Sequence, residues 1–97
     1  MANCFVLRAN DDRVSTDQFM TLRGWCGDET AVALAQKLLN EGSYRMIAQG
    51  VLGKMENAEH VFDALNTSGD SYMTPGDVIV WNNGKRELCL AEGWASI

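Results

Sequence analysis

The sequence has few cysteines and histidines, with three cysteines and one histidine among its 97 residues. Cys4, Cys26 and Cys89 are odd in number and widely spaced, which argues against a disulfide framework. A single histidine without a nearby cysteine pair supplies no zinc ligand set. We therefore expect a reduced protein that holds no metal and no cofactor.

Long apolar runs and basic patches are also missing. No run approaches the roughly 20 residues that span a bilayer, and no charged-then-apolar leader opens the chain, so we expect a cytoplasmic protein without membrane contact. Eight Lys and Arg residues face thirteen Asp and Glu residues, which gives a net charge of −5. This charge disfavours direct nucleic-acid binding and suits docking on a basic protein surface.

The sequence contains no phosphate-cradling glycine loop, no G-x-S-x-G motif and no dinucleotide fingerprint, so we do not expect an enzyme. What it does contain is ordinary for a folded domain, at 46% hydrophobic and 22% charged residues. The length allows one modest core, and residues 1–97 are interpreted as a single globular domain.

The segment from Gly76 to Trp94 carries the strongest local signal. Asp77 to Trp81 is β-branched and aromatic, and Arg86 to Ala91 alternates polar with apolar residues. Asn83-Gly84 between two such runs is typical of a two-residue type I′ turn. We therefore predict a C-terminal β-hairpin.

The remaining elements follow from apolar spacing and capping residues. Together they predict an α+β fold, in which a small antiparallel sheet with the C-terminal hairpin carries two to three helices on one face. The predicted strands are Cys4 to Leu7 and Ser43 to Leu52, the second with a bulge at Gly50. The predicted helices are a short one at Ser15 to Leu22, one from about Glu29 to Glu41 that is capped by Asp28 and stopped by Gly42, and one that is capped by Asn57 and buries Ala58, Val61, Phe62 and Leu65.

Cys26 precedes a predicted helix N-terminus, which would lower the pKa of its thiol, so a nucleophile pair with His60 is conceivable. The chain offers only this one histidine, so the choice of partner is forced and the match carries little information. A packed or turn cysteine, and a solvated histidine on a polar helix face, explain the two residues without any chemistry.

The stretch from Asn66 to Asp77 resembles an EF-hand calcium loop that is entered from a helix. It departs from that motif because Asn66 replaces the opening acid, Ser71 replaces the turn glycine, and Asp77 replaces the bidentate Glu. The following Val78 to Trp81 is predicted to be a strand, where an EF-hand has a helix. We therefore expect a polar loop that leads into the hairpin, with calcium binding as the alternative.

Three tryptophans lie beside loops or strand ends, and exposed tryptophan is enriched at binding hot spots. Trp25, Trp81 and Trp94 are therefore candidate partner-binding residues, together with the loop carboxylates Asp70 and Asp77. The alternative is that Trp81 and Trp94 close the edge of the core.

One ordered set of residues runs through the second half of the chain: Tyr44 and Ala48, Phe62 with Asn66-Thr67, Thr74, Gly76, Asp77, Val78 and Ile79, and Gly93-Trp94. In these residues the chain resembles small proteins of bacteriophages and other mobile elements, in particular the YodL-like group. The resemblance implies a mobile-element context and no defined chemistry.

Two functions are compatible with these features. The first is a small, acidic, non-enzymatic protein that binds and modulates a host protein, for example as an inhibitor of a host defence system. The second is a structural or self-associating protein of a virion or assembly, in which an open sheet edge would pair with another copy.

Overall fold

The structure, a computed structural model, describes residues 3–48, 54–68 and 73–97. In chain order, these residues form five strands and three helices. They are β1 (Cys4–Ala9), α1 (Thr16–Leu22), α2 (Asp28–Asn40), β2 (Tyr44–Ala48), α3 (Ala58–Ser68), β3 (Val78–Trp81), β4 (Arg86–Leu90) and β5 (Gly93–Ser96). None of the helices in the described ranges has the length and apolar character that crossing a bilayer requires.

All five strands form one sheet in the order β2-β1-β3-β4-β5, and every neighbouring pair is antiparallel. β2 and β3 both flank β1 and therefore run parallel to each other, joined by a crossover that contains α3. β3, β4 and β5 follow as a meander. The predicted α+β class, with its antiparallel sheet and C-terminal hairpin, is confirmed.

The turn of the β3–β4 hairpin differs from the prediction. The Gly84 N–H donates to the Trp81 carbonyl at 2.9 Å, and the Trp81 N–H donates to the Lys85 carbonyl at 2.8 Å. Gly84 has φ of 90°, whereas no described non-glycine residue has a positive φ. The predicted type I′ turn is therefore wrong, because Asn83 does not adopt the conformation it requires. The loop instead has three residues, Asn82 to Gly84, and ends on a left-handed glycine.

The helices cover both faces of the sheet, so the prediction of one covered face is wrong. Alternate strand residues point to opposite faces, and each set of side chains has its own helices. On one face α3 packs on the strands through Cys4, Val6, Ala58, Val61, Leu65, Ile79 and Cys89. On the other face α1 and α2 pack on the strands through Ala9, Leu22, Ala31, Ala35, Leu38, Val78 and Leu88.

Capping explains where the helices begin and end. Ser15 caps α1 in a capping box with Gln18, and Asn57 caps α3 by accepting the His60 N–H at 2.9 Å. α2 begins differently from the prediction: its N-cap is Gly27 without a side-chain bond, and Asp28 is already helical. Gly42 follows α2 with φ of 72°, the expected left-handed stop.

The strands also differ from the prediction in their bounds and number. β1 continues beyond Leu7 to Ala9, and an irregularity interrupts its pairing with β2 between Val6 and Leu7. The bulge predicted at Gly50 lies outside the described residues. β5 was not predicted as a separate strand.

Candidate functional site

The connection between α1 and α2 displays Trp25. After Leu22 the chain turns on Gly24 and Gly27, whose φ values of 98° and 95° suit glycine alone. The Trp25 N–H donates to the Met20 carbonyl at 3.3 Å, and the Gly27 N–H donates to the Gly24 carbonyl at 3.1 Å. The Trp25 side chain is 75% exposed. The turn therefore presents a large apolar ring to solvent on a hydrogen-bonded backbone.

An apolar groove with an acidic end lies beside this turn. Asp28 and Glu29 are exposed in the first turn of α2, and neither forms a salt bridge with a described residue. The groove has a volume of about 400 Å³ and runs between α2 and the strands β4 and β5. Its lining is completed by Val32, Ala33, Gln36, Leu90 and Ala95. We call Trp25, Asp28, Glu29 and this groove the Trp25 surface.

Trp81 and Trp94 lie elsewhere, against the core on the α3 face. Both are half-buried, and the ring of Trp94 meets the ring of Phe62 edge to face, with centroids 6.3 Å apart. The Trp81 Nε1 atom is buried and has no hydrogen-bond partner among the described residues. The structure thus brings two of the three predicted tryptophans onto one face of the sheet and leaves Trp25 apart from them.

Asp77 is only 2% exposed and lies at the entry to β3. Its Oδ1 accepts from Arg8 Nε at 3.0 Å, and its Oδ2 accepts from Arg8 Nη2 and from the Thr74 N–H, both at 2.9 Å. The hydrogen bond to Asp77 raises the pKa of Arg8, so the Arg8 guanidinium stays charged. Asp77 is therefore engaged inside the fold, and its predicted contact with a partner would require this network to open.

The structure describes both ends of the loop for which calcium binding is the alternative prediction. The Asn66 side-chain oxygen accepts the Met73 N–H at 3.0 Å, and a strand follows Asp77 where an EF-hand needs a helix. Asp70, also predicted to bind a partner, lies outside the described residues. Within the described ranges, no group of three or more His, Cys, Asp or Glu side chains is placed to hold a metal ion.

Cys26 and His60 lie on elements that pack on opposite faces of the sheet. Cys26 is exposed in the turn between α1 and α2, with its Sγ atom 3.9 Å from Thr21 Oγ1. His60 lies in the first turn of α3, where its Nδ1 atom accepts the Glu56 N–H at 3.3 Å. The sheet therefore lies between the two residues that would have to form the nucleophile pair.

Arg8 is the polar residue that sequence reasoning missed, because it was interpreted only as the end of an apolar run. It forms the ion pair with Asp77 and lies directly opposite Arg45 in the pairing of β1 with β2. A signal was present, since Arg8 ends one predicted strand and Asp77 begins another. Pairing those two strands antiparallel brings opposite charges together.

Comparisons with known proteins identified no relative of this chain. No protein-family model matches the chain, and neither the curated proteins nor the solved structures contain a match.

Proposed function

We propose that this chain is a small, non-enzymatic binding domain that docks on a basic surface of a host protein through the Trp25 surface. The observation that carries the proposal is the exposure of Trp25 on a turn held by backbone hydrogen bonds. Because the turn is ordered before binding, little conformational entropy is lost when the ring is buried by a partner.

Charge supports the choice of a basic partner. Asp28 and Glu29 border the apolar groove, and the whole chain carries a net charge of −5. An apolar centre with a charged rim is the usual anatomy of a protein interface. Acidic rim residues would speed the encounter with a basic surface and make association sensitive to salt.

The host context rests on the resemblance of the second half of the chain to phage and mobile-element proteins. On that basis the partner is a protein of the host cytoplasm, and inhibition of a host defence system is one form that the modulation takes. The separation of Cys26 from His60 across the sheet argues against the one nucleophile pair that the sequence suggested.

Affinity capture from host lysate at low salt tests the proposal. We expect the wild-type chain to retain a host protein. Trp25→Ala should lower the affinity for that protein by about thirtyfold or more, and the double variant Asp28→Asn/Glu29→Gln should bind it more weakly than the wild type does. Met46→Ala is the matched control, because Met46 is also an exposed large apolar side chain, at 48%, and lies on β2. Capture that is indifferent to Trp25 contradicts the proposal.

Self-association is the second candidate function, and the position of β2 favours it. β2 is the outermost strand on its side of the sheet, and Met46 is exposed on it. An open strand edge can pair with a second copy of the chain. Measuring the mass in solution over a range of concentrations separates the two candidates, since strand addition predicts dimers or larger species that Met46→Lys weakens.

A further inference from the structure

Three arginines line one cavity of about 250 Å³ at the end of β1. They come from three different elements: Arg8 from β1, Arg23 from the C-cap of α1, and Arg45 from β2. The whole sequence has eight Lys and Arg residues against thirteen Asp and Glu residues. Three of those eight cations therefore meet at a single place in an acidic protein.

The charges around this cavity are only partly balanced. Arg8 lies directly opposite Arg45 in the strand pairing, an arrangement of like charges that destabilises a sheet. Asp77 neutralises Arg8, and Asp11 is the other carboxylate in the lining. Arg23 and Arg45 form no salt bridge with any residue in the described ranges. The local excess of positive charge thus lies on these two exposed side chains.

We propose that this cavity, the arginine pocket, binds a phosphate group. Guanidinium groups match the oxygens of phosphate in geometry and charge, and the lining carries three arginines against the two carboxylates of Asp11 and Asp77, an excess of one positive charge. In this arrangement Arg23 and Arg45 contact the phosphate oxygens, while Asp77 holds Arg8 beside them. The volume is below the 300 to 1,000 Å³ typical of pockets for drug-sized ligands, so the pocket suits a phosphate group and not a whole nucleotide.

The phosphate could come from two sources, the free ion or a phosphorylated side chain, and the pocket recognises the chemistry that they share. The proposal stands apart from the Trp25 surface, because its ligand is an anion and its residues are different. Failure to bind a protein through Trp25 therefore leaves it unaffected.

Calorimetric titration tests the arginine pocket with inorganic phosphate and, separately, with O-phosphoserine, at an ionic strength held constant with chloride. We expect saturable binding of one equivalent. Each of Arg23→Gln and Arg45→Gln should weaken it about tenfold, the effect of losing one charge-assisted hydrogen bond. Tighter binding of O-phosphoserine identifies a phosphorylated side chain as the source, and tighter binding of inorganic phosphate identifies the free ion.

Lys37→Gln is the matched control, since it removes one exposed positive charge from α2, and Lys37 does not line the pocket. We expect it to leave phosphate binding unchanged. The absence of saturable heat with both probes would overturn the proposal. Equal weakening by Lys37→Gln and the two arginine variants would overturn it as well, because net charge alone would then explain the binding. Circular dichroism of each variant verifies that it is folded.

Discussion

The carboxylate of Asp77 accepts three hydrogen bonds while almost entirely buried, two of them from Arg8. Removing one member of such a pair leaves the other charge without its partner. We predict that Asp77→Asn lowers the free energy of unfolding by about 3 kcal/mol, at the low end for a buried pair, because the Arg8 side chain is 27% exposed. Urea denaturation measures the loss.

The control for this prediction is the ion pair between Lys85 and Glu87, which is 3.0 Å long and open to solvent at Lys85. Glu87→Gln makes the same carboxylate-to-amide change there. We expect it to cost about 1 kcal/mol or less, since solvent screens exposed pairs. Equal losses for the two variants would show that the Asp77 network contributes nothing beyond an ordinary surface pair.

Buried thiol and phenol groups make the free energy of unfolding depend on pH in the alkaline range. Burial raises the pKa of Cys4, and burial and then the negative charge of Asp77 raise the pKa of Cys89 to about 12. The same two causes, in the same order, raise the pKa of Tyr44. In the unfolded chain these groups lose their protons earlier, so the unfolded state binds fewer protons than the folded state as pH rises.

Stability is therefore complete below the ordinary thiol pKa of 9.0 and falls as pH rises from there toward about 12. We predict a declining free energy of unfolding across this window, measured by urea denaturation in the presence of a reductant. Cys89→Ala should make the decline shallower, because it removes one of the buried thiols whose pKa is raised in the folded chain. A stability that stays flat across the window is incompatible with buried, protonated thiols.

At the scale of the elements, two glycines with similar backbone conformations differ in their steric surroundings. Gly76 and Gly84 have φ values of 101° and 90°. A Cβ atom at Gly84 meets nothing within 4 Å, whereas one at Gly76 would lie 3.0 Å from the Cβ of Leu22. Gly76 cannot easily move away, because its N–H donates to the Cys89 carbonyl and its own carbonyl accepts from the Tyr44 hydroxyl, both at 2.8 Å.

We therefore predict that Gly84→Ala costs about 1 kcal/mol, the strain of a left-handed alanine, and that Gly76→Ala costs at least about 2 kcal/mol. Denaturant midpoints of the two variants provide the comparison. If both changes cost the same, the contact between Gly76 and α1 does not constrain the entry to β3.

The elements that sequence reasoning located are those with local signals. Ser15 with Gln18 marks the start of α1, and Gly42 marks the end of α2. The prediction of the hairpin is confirmed but that of its turn type is wrong, because Asn83-Gly84 also fits a three-residue loop that begins at Asn82. β5 has only four residues and a glycine, too little pattern to separate it from the end of the hairpin.

At the scale of the whole molecule, the prediction placed the helices on one face of the sheet, although the sequence carries a signal for helices on both faces. The runs from Cys4 to Leu7 and from Val78 to Trp81 are apolar without alternation, which indicates strands covered on both faces. The arginine pocket had no such signal. It joins residues 8, 23 and 45, which only the folded topology brings together.

The proposed role of Trp25 in binding, and the place of Trp94 in the core, depend on the different surroundings of the two side chains. The most direct measurement is the free energy of unfolding of Trp25→Ala and Trp94→Ala by urea denaturation. We predict a change within about 0.5 kcal/mol for Trp25→Ala, as for other exposed positions, and a loss of at least about 2 kcal/mol for Trp94→Ala, which removes its packing on Phe62. A Trp25→Ala loss as large as that of Trp94→Ala would mean that Trp25 serves the fold and would contradict the account.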